Sequence, residues 1–342
     1  MTTVFVNNTD LLSSEWRFLE PVWSDPRATW EFFHGTPKNW LERSVSRPHL
    51  GRYRAALQAV RSARARPADS ILVSHLPAMT AATNLARRHL CPDVRHIAFA
   101  FNFTDLPTGY RLSYFRRALQ GIEQFVVFSE AERALYSQTF NIPKDRLRML
   151  HWAMDAPVPG SENPAPFDGP YLCAVGGEGR DYTVLAEALR YLPEIKLALV
   201  ARPHSIAGID FPENVYVFVN LPAPQTWRLA QESGGMIIPL KTGQTNCGHV
   251  TIVGAQLLNI PLIVTRSAGV IDYVDDQTAF MTEPGNVADM IKAIRTLSYG
   301  QEPVKLRQCN ALKTARARSS QTHWVRYFES LLDTHPAPSG RD

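Results

Sequence analysis

The chain has 342 residues, of which 45% are apolar and 20% are charged, and its net charge is +4. These values indicate a soluble globular protein of one large or two medium domains. They exclude a membrane-spanning helix, because no apolar run approaches the roughly 20 residues that a span needs. The N-terminus lacks the pattern of a signal peptide, and the four cysteines form no CxxC pair. We therefore expect a cytoplasmic protein without disulfides or structural zinc.

Charge is distributed unevenly along the chain. Residues 1–155 carry 20 Lys and Arg against 14 Asp and Glu, a net of +6, whereas the remainder carries 16 against 18, a net of −2. A basic first half favours an acidic partner, such as a phosphorylated acceptor, an anionic lipid surface or nucleic acid. A solvated, arginine-rich surface would give the same pattern.

Strands and helices alternate through the first half. After a first strand at the N-terminus, residues up to 50 are rich in aromatic side chains and poorly patterned. A helix begins at Leu50 and carries Tyr53, Leu57 and Val60 on one face. The pattern then predicts strands at 70–74, 96–101 and 124–128, helices at 79–90 and 112–122, and a helix opened by a capping box at 129–132. Such alternation indicates parallel strands in an α/β fold.

Residues 151–170 are rich in Pro, Gly and Asn, which is typical of an interdomain linker. Alternation then restarts, with strands predicted at 171–175, 196–201, 215–219, 236–240 and 262–264 and helices at 181–192, 225–232, 250–258 and 286–297. We predict an N-terminal domain over 1–155, a linker over 156–170 and a C-terminal domain over 171–317. A last helix at about 318–334 can pack back on the first domain. Both domains are expected to be doubly wound, with ligands at the carboxyl ends of the strands.

The stretch 236–265 is predicted to be a strand, a polar loop, a helix and a second strand, so its loop leads into a helix N-terminus. Free backbone N–H groups and the helix dipole favour an anion there. Three other strand exits bring Gly, Arg, His and Asn to the same sheet edge. Together they favour a diphosphate site over ordinary turns and caps. The predicted binding residues are Gly176, Gly177, Arg180, Arg202, His204, Asn220, Lys241, Asn246, Cys247, Gly248, His249, Val250 and Thr251.

The order of motifs in the second half matches a known pattern. GGEGR at 176–180 does not fit GxGxxG, and no P-loop, GxSxG or HExxH motif occurs. Instead, Gly176 and Arg180 stand where a strand-end glycine and a basic residue are expected, and 212–215 and 259–262 match P-x-N-V and G-x-P-V segments. With 267–276, this order resembles the donor-binding domain of GT-B glycosyltransferases, closest to glycosyltransferase family 4. The resemblance covers about 171–294.

Three positions depart from the family pattern. Gly177 replaces an arginine, and Asn246 and Gly254 replace the two glutamates of E-x7-E, the second of which binds the donor ribose in the family. The segment 246–249 resembles the S/N-x-G-H loop of some bacterial polysaccharide glycosyltransferases. We therefore favour a divergent active enzyme over one that has lost catalysis.

The resemblance implies two Rossmann-like domains facing a central cleft and a metal-independent hexosyltransferase without a cofactor. It implies transfer from a nucleotide-diphosphate sugar to a glycan or lipid-linked acceptor in cell-surface polysaccharide assembly. Arg180, Lys241 and the helix N-terminus at Gly248 and His249 would stabilise the diphosphate leaving group. The protein would be cytoplasmic or peripheral on the inner face of the membrane. A degenerate scaffold that binds a glycan or partner enzyme, and a GT-B sugar-nucleotide epimerase, are the alternatives.

Asp105 and His75 are the candidate catalytic residues of the first half, because each follows a predicted strand and either can accept the proton of an acceptor hydroxyl. Retaining enzymes of the family-4 type place a histidine at the exit of a strand such as the one predicted at 96–101. In this sequence Asn102 stands at that position. The alternatives are a turn or N-cap role for Asp105 and a structural role for His75.

The basic helix predicted at 112–122, with the residue before it, carries Arg111, Arg116 and Arg117. Aromatic residues are interleaved with these arginines, so we predict an acceptor or membrane side here. A solvated basic face is equally compatible with the pattern. Nucleic acid is disfavoured, because no recognised binding module accompanies the charge.

Overall fold

The computed structural model describes residues 2–10, 16–45, 49–103, 105–244 and 246–333. The chain divides into two compact units: Met1–Leu150 with Gln321–Asp342, and His151–Ser320. The strands are β1 (Thr3–Thr9), β2 (Ala28–His34), β3 (Ser70–His75), β4 (Arg95–Phe99), β5 (Gln124–Val127), β6 (Leu147–Met149), β7 (Leu172–Val175), β8 (Leu197–Ala201), β9 (Val215–Val219), β10 (Met236–Ile238), β11 (Leu262–Thr265) and β12 (Phe280–Thr282).

Helices connect these strands in both units. They are α1 (Trp40–Ser44), α2 (Leu50–Arg64), α3 (Pro77–Leu90), α4 (Gly109–Ala118), α5 (Glu130–Phe140), α6 (Tyr182–Arg190), α7 (Pro203–Ile206), α8 (Ala223–Gln231), α9 (His249–Leu257), α10 (Val287–Tyr299), α11 (Gln301–Arg318) and α12 (Gln321–Asp333). None of the described helices is long and apolar enough to cross a membrane.

The first unit contains a six-stranded parallel sheet in the order β2-β1-β3-β4-β5-β6. The predicted first strand is confirmed as β1, which pairs with β2 on one side and β3 on the other. Because the chain continues from β1 to β2 on one flank and then to β3 on the other, the strand order reverses between β1 and β3. Such a switch point is where open α/β sheets bind ligands.

Helix α2 packs through small side chains. Its buried residues include Ala55, Ala56, Ala59 and Val60, whereas Tyr53 is 47% exposed. Of the three residues predicted to share one face, Val60 is buried and Leu57 is partly buried, whereas Tyr53 lies outside the buried surface. The alanine stripe lets α2 approach α3 and the sheet closely, and the bulky tyrosine lies outside that contact.

Helix α4 begins and ends earlier than predicted. It spans Gly109–Ala118 rather than 112–122. Gly121 has a φ of +78°, so the chain turns where the apolar pattern continues. The predicted capping box is confirmed in α5, where the Ser129 hydroxyl accepts a hydrogen bond from the Glu132 backbone N–H at 3.1 Å.

Helix α12 belongs to the first unit. Its Phe328 packs against Phe5 of β1 with ring centroids 5.3 Å apart, and its Tyr327 hydroxyl donates to the Gln124 side chain at 2.9 Å. The Arg95 guanidinium also donates to the carbonyl of Leu331 at 2.8 Å. The helix thus covers the face of the sheet opposite α2.

The second unit contains a parallel sheet in the order β12-β11-β10-β7-β8-β9. Alternate residues of its strands point to opposite faces of the sheet and belong to two separate hydrophobic cores, one on each face. Cys173 and Met236 lie in one core with Ile252 of α9, and Ile237 lies in the other core with Leu185 of α6. The sheet is therefore covered by helices on both faces, as a doubly wound fold requires.

Residues 156–170, expected to be a linker, contain no helix or strand. They nevertheless pack on the second unit. Phe167 lies against its core, Gly160 donates through its backbone N–H to Pro224, and the Asn163 amide donates to Glu232 at 2.7 Å. The segment is thus ordered by contacts with the unit that follows it.

Candidate functional site

The candidate site lies at the switch point of the second sheet. Strand β7 is central: β8 and β9 follow on one side and β10 to β12 on the other, so the strand order reverses between β7 and β10. The four strand exits that the sequence singled out belong to β10, β7, β8 and β9, which are neighbours in the sheet. Because all strands are parallel, their carboxyl ends share one edge.

Two of these exits are joined by backbone hydrogen bonds. The chain after β7 meets the chain after β10 at an antiparallel bridge between Arg180 and Leu240. The Lys241 N–H donates to Gly179 at 3.0 Å, and the Asp181 N–H donates to Pro239 at 2.9 Å. The Asp181 carboxylate also caps α6 by accepting from Val184 N–H at 3.1 Å, which confirms the predicted cap. The loops are held as one rigid frame.

Arg180 is buried in this frame, with 4% of its surface exposed. Its guanidinium donates to the carbonyls of Val175 and Glu178 at 3.3 and 3.2 Å, and to Cys247 Sγ and Thr251 Oγ1 at 3.5 and 3.4 Å. The three bonds to oxygen lie at or beyond the long end of the roughly 2.7–3.2 Å that is usual for N–H···O hydrogen bonds. Arg180 forms no ion pair with any described residue. A buried cation without a carboxylate is poorly compensated and favours an incoming anion.

The two glycines after β7 make room for arginine side chains. A Cβ on Gly176 would lie 2.6 Å from Arg180 Nε, and Gly176 has a φ of +142°. A Cβ on Gly177 would lie 2.7 Å from Arg202 Cδ. Gly177 stands where the family has an arginine, and the aliphatic part of Arg202 covers it. The Arg202 side chain, from the exit of the neighbouring strand β8, thus occupies the space beside Gly177.

Glu178 was not predicted, and its carboxylate contacts two of the predicted binding residues. Its Oε1 lies 3.2 Å from Arg202 Nη1 and 3.2 Å from His204 Nε2. All three side chains are exposed, so an anionic ligand can compete with the carboxylate for Arg202 and His204. Lys241 is also exposed and forms no ion pair with any residue that the structure describes.

The N-terminus of α9 faces the same frame. Gly248 is its N-cap, with a φ of +108°, and a Cβ there would lie 3.6 Å from the Arg180 guanidinium. The Cys247 thiol donates to the Glu178 carbonyl at 3.1 Å, and burial raises the pKa of that thiol. Asn246 Oδ1 is buried and has no hydrogen-bond partner within the described ranges. Val250, in the first turn, is 45% exposed.

His249 is oriented away from solvent. Its Nε2 lies 2.7 Å from the Gly269 carbonyl, its ring stacks on Tyr273 with centroids 4.6 Å apart, and burial lowers its pKa to about 4. The neutral ring donates to that carbonyl and holds α9 against the next loop. Asn220 follows β9 with a φ of +55°, and its backbone N–H donates to Ala201 at 3.1 Å.

Gly254, at the second family glutamate position, is closed by packing. A Cβ there would lie 2.3 Å from Cη2 of Trp227 in α8, so no larger side chain fits without displacing the indole. The sequence shows that the glutamate is missing. It does not show that Trp227 fills the space, because 27 residues separate the two positions.

Two cavities of about 370 and 380 Å³ lie away from this site, at the amino-terminal edge of the sheet near Gly234 and Leu297.

In the first unit, His75 is enclosed rather than poised at a surface. It is 5% exposed, and its ring lies against Trp16, Phe18 and Phe99 with centroids 4.8–5.6 Å apart. Its Nε2 lies 2.6 Å from Asn7 Oδ1, and burial lowers its pKa to about 3. This geometry corresponds to the structural role and corrects the candidacy of His75 as a base that reaches an acceptor.

The other predicted residues of the first unit lie at its surface. Asp105 is exposed after β4. Arg111, Arg116 and Arg117 are exposed on α4 but point in different directions, since Arg111 lines a cavity with Tyr114 whereas Arg116 Nε donates to the Thr139 carbonyl at 2.9 Å. Over the described ranges, no three His, Cys, Asp or Glu side chains gather to hold a metal.

A scan against protein-family models finds no match, and a search of curated proteins finds none either. Solved structures do match over nearly the whole chain. A glycosyltransferase from Rickettsia africae superposes with a TM-score of 0.72 at 14% identity, covering 99% of this chain and 100% of that one. Anabaena HepE in complex with UDP-glucose gives 0.70 at 12% identity, covering 98% and 100%. The lipopolysaccharide outer core galactosyltransferase WaaB gives 0.66 at 12% identity, covering 98% and 99%.

These likenesses establish the fold. Two six-stranded parallel sheets, each in a Rossmann-like unit covered by helices, are the GT-B architecture of those glycosyltransferases. The predicted fold class is therefore confirmed. Identities of 12–14% carry no information on substrate.

Proposed function

We propose that the chain is a metal-independent glycosyltransferase that moves a hexosyl group from a nucleotide-diphosphate sugar to a glycan or lipid-linked acceptor in cell-surface polysaccharide assembly. The observation that carries this proposal is Arg180, a buried cation without a carboxylate partner at the switch point of the second sheet. Nucleotide diphosphates are the ligands that such a place favours, because their charge meets a fixed guanidinium and a helix N-terminus.

In this proposal the acceptor oxygen attacks the anomeric carbon, and the bond from that carbon to the diphosphate oxygen breaks. The electron pair goes to the diphosphate, whose charge Arg180, Arg202, Lys241 and the first turn of α9 stabilise. In an inverting transfer the acceptor hydroxyl gives its proton to a base, for which we propose Asp105. Arg180 is placed before the reaction begins, so little reorganisation is needed as charge develops.

The neighbours in fold support the substrate class. HepE is complexed with UDP-glucose, and WaaB is a lipopolysaccharide galactosyltransferase. We extend nucleotide-sugar binding and a role in cell-surface glycans to this chain as part of the proposal. We also propose that it acts in the cytoplasm, in solution or on the inner face of the membrane.

A second candidate is a scaffold without catalysis. It is favoured by Gly254 and Asn246, which provide no carboxylate at the family glutamate positions, and by Trp227, which fills the space at Gly254. Such a scaffold would bind a nucleotide sugar, a glycan or a partner enzyme without turnover. An epimerase built on the same fold is the remaining alternative.

Incubation of the full chain with a panel of nucleotide sugars, with and without EDTA, separates these functions. Nucleotide release with sugar transfer or hydrolysis that survives EDTA supports the proposal. A free isomerised donor identifies an epimerase, and binding without turnover identifies a scaffold. For the base, Asp105→Ala should lower the rate of transfer by at least 100-fold. Asp145→Ala, an exposed aspartate of the same unit, is the control, and equal rates for the two variants would exclude Asp105.

A further inference from the structure

A cavity of about 400 Å³ lies in the first unit, and Arg111, which we predicted to lie on an acceptor or membrane side, forms part of its wall. It is lined by the first turns of three helices: Arg52 and Tyr53 of α2, Ala78 of α3, and Tyr110 and Arg111 of α4, with Tyr114 one turn further on. These helices enter after β2, β3 and β4. The cavity therefore lies at the carboxyl edge of the first sheet, where ligands of open α/β sheets bind.

The cavity is tied to the switch point between β1 and β3. Arg52 forms an ion pair with Asp10, the residue that follows β1, and Ala78 lies three residues beyond the end of β3. The ion pair fixes the position of the Arg52 guanidinium, whose side chain is 19% exposed. This wall of the cavity is thus rigid, and its volume is typical of small-molecule sites.

Arg111 supplies a second positive charge that is not compensated. It is exposed and forms no ion pair with any residue in the described part of the chain. The other two arginines of α4 do not line the cavity. One arginine held by a carboxylate and one free arginine give the cavity a net positive charge, which suits one anionic group rather than a long polyanion.

Three tyrosines give the same cavity aromatic walls. Tyr53, Tyr110 and Tyr114 are 47%, 97% and 44% exposed, so large ring faces are left in contact with water. Burial raises the pKa of the Tyr114 hydroxyl, Tyr53 raises it further and Arg52 lowers it, which places these three groups close together. Aromatic faces with hydroxyl groups beside them bind the C–H faces and hydroxyls of sugar rings.

We propose that this cavity binds a sugar ring that carries an anionic group, a phosphate or a carboxylate, as part of the acceptor. The ring stacks on Tyr110 and Tyr114, and Arg111 pairs with the anionic group. The identification of this sugar as the acceptor rests on the proposed transferase function, but its binding to the cavity does not. A membrane surface is the competing occupant of α4 and is an outcome of the test.

The test uses the full chain at low ionic strength and titrates glucose 6-phosphate, glucuronic acid, glucose and inorganic phosphate by ligand-observed NMR. The two anionic sugars should bind at least tenfold more tightly than glucose or phosphate. Arg111→Gln should weaken their binding about tenfold, because a charge-assisted hydrogen bond contributes roughly that factor. Tyr110→Ala should weaken both sugars and leave phosphate unchanged. Arg61→Gln, an exposed arginine of α2 outside the cavity, should change nothing.

Three results would overturn the proposal. The first is that neither anionic sugar binds, and the second is that Arg61→Gln and Arg111→Gln behave alike. The third is that the chain binds anionic vesicles but not the sugars, and that Arg111→Gln weakens the binding of the vesicles. UDP binding is measured on the same samples. If the chain binds the anionic sugars but not UDP, the proposed function is contradicted and the cavity proposal is not. If it binds UDP but not the anionic sugars, only the cavity proposal is contradicted.

Discussion

Arg87 in the first unit and Arg180 in the second are both buried, with 6% and 4% exposure, and neither forms an ion pair with a described residue. Their hydrogen bonds differ. Arg87 donates to Asn84 Oδ1 and to the carbonyls of Pro92, Val94 and Gly121 at 2.6–3.0 Å. Arg180 makes contacts of 3.2–3.5 Å. The first guanidinium is thus held by short hydrogen bonds within the fold, and the longer contacts of the second are the reason we propose it as an anion-binding residue.

The surroundings of the two arginines agree with this difference. Arg87 ties the end of α3 to the loops before β4 and β5, away from the carboxyl edge of the first sheet. Arg180 lies at the carboxyl edge of the second sheet beside a helix N-terminus. A buried charge is therefore not by itself a sign of function. Its hydrogen-bond geometry and its place at the sheet edge are what make Arg180 the candidate binding residue of the two.

The largest effect is expected at the structural arginine. Arg87→Gln should lower the free energy of unfolding by about 3 kcal/mol, because it leaves buried carbonyls without donors. Urea unfolding followed by circular dichroism measures this change. Arg88→Gln, its exposed neighbour, is the control and should change the free energy by less than about 0.5 kcal/mol. A stable Arg87→Gln protein would remove the basis of the comparison.

At Arg180 the effect should fall on binding instead. Arg180→Gln should weaken UDP binding by 10- to 100-fold, roughly 1.4–2.7 kcal/mol, while changing the free energy of unfolding without ligand by less than about 1 kcal/mol. Isothermal titration calorimetry and thermal unfolding with and without UDP measure the two quantities. Arg190→Gln, which breaks a surface pair with Asp210, is the control. Equal UDP affinity in the two variants would show that Arg180 is structural.

The buried titratable groups provide a third test, in which sign matters. Burial lowers the pKa of His75 and His96 from 6.5 to about 3 in the first unit, and that of His249 to about 4 in the second. Their neutral forms favour folding, so this stability is complete above pH 6.5 and is lost as pH falls. Burial raises the pKa of Glu132 from 4.5 to about 7, so its contribution is complete below pH 4.5 and is lost as pH rises.

Between pH 6.5 and 4.5, the pH dependence that Glu132 gives to the free energy of unfolding is therefore opposite to that of one histidine of the first unit and offsets it. In Glu132→Gln this compensation is absent, and the free energy of unfolding should fall more steeply with decreasing pH, by up to about 1.4 kcal/mol per pH unit. Urea unfolding across this range, followed by near-ultraviolet circular dichroism, measures the slope. Parallel pH profiles for Glu132→Gln and the parent would contradict the assignment.

The smallest effect is expected at Glu178, whose carboxylate competes with a ligand for Arg202 and His204. Glu178→Gln should strengthen UDP binding two- to fivefold at low salt, and the gain should shrink as salt screens these exposed charges. Calorimetric titrations at two salt concentrations test this, with Asp210→Asn as the control. Weaker binding by Glu178→Gln would mean that the carboxylate contacts the ligand directly.

The sequence by itself determined the alternation of strands and helices in the second unit. The central strands β7, β8, β10 and β11 are largely buried and so appear as short continuous apolar runs. The edge strand β9 is only partly buried, but it is also a continuous apolar run and lies at its predicted residues 215–219. It also determined the caps at Asp181 and Ser129, because each depends on residues three positions apart. The loops that carry the candidate site follow from the same pattern, since parallel strands share one carboxyl edge.

The sequence pattern missed elements without clear periodicity. The edge strand β2 (Ala28–His34) mixes aromatic and polar side chains with uneven burial, and α11 (Gln301–Arg318) is polar with few buried residues. Neither presents the simple alternation or the apolar stripe on which prediction depends. Their place is set by pairing and packing with distant parts of the chain.

Only the tertiary structure decided which site residues remain available to a ligand. It placed Arg202 over Gly177, Trp227 against Gly254, and His75 inside an aromatic cluster. It also showed that the four hydrogen bonds of Arg87 are 2.6–3.0 Å long, whereas the four contacts of Arg180 are 3.2–3.5 Å long. These facts depend on contacts between residues far apart in the chain, which local pattern and spacing do not encode.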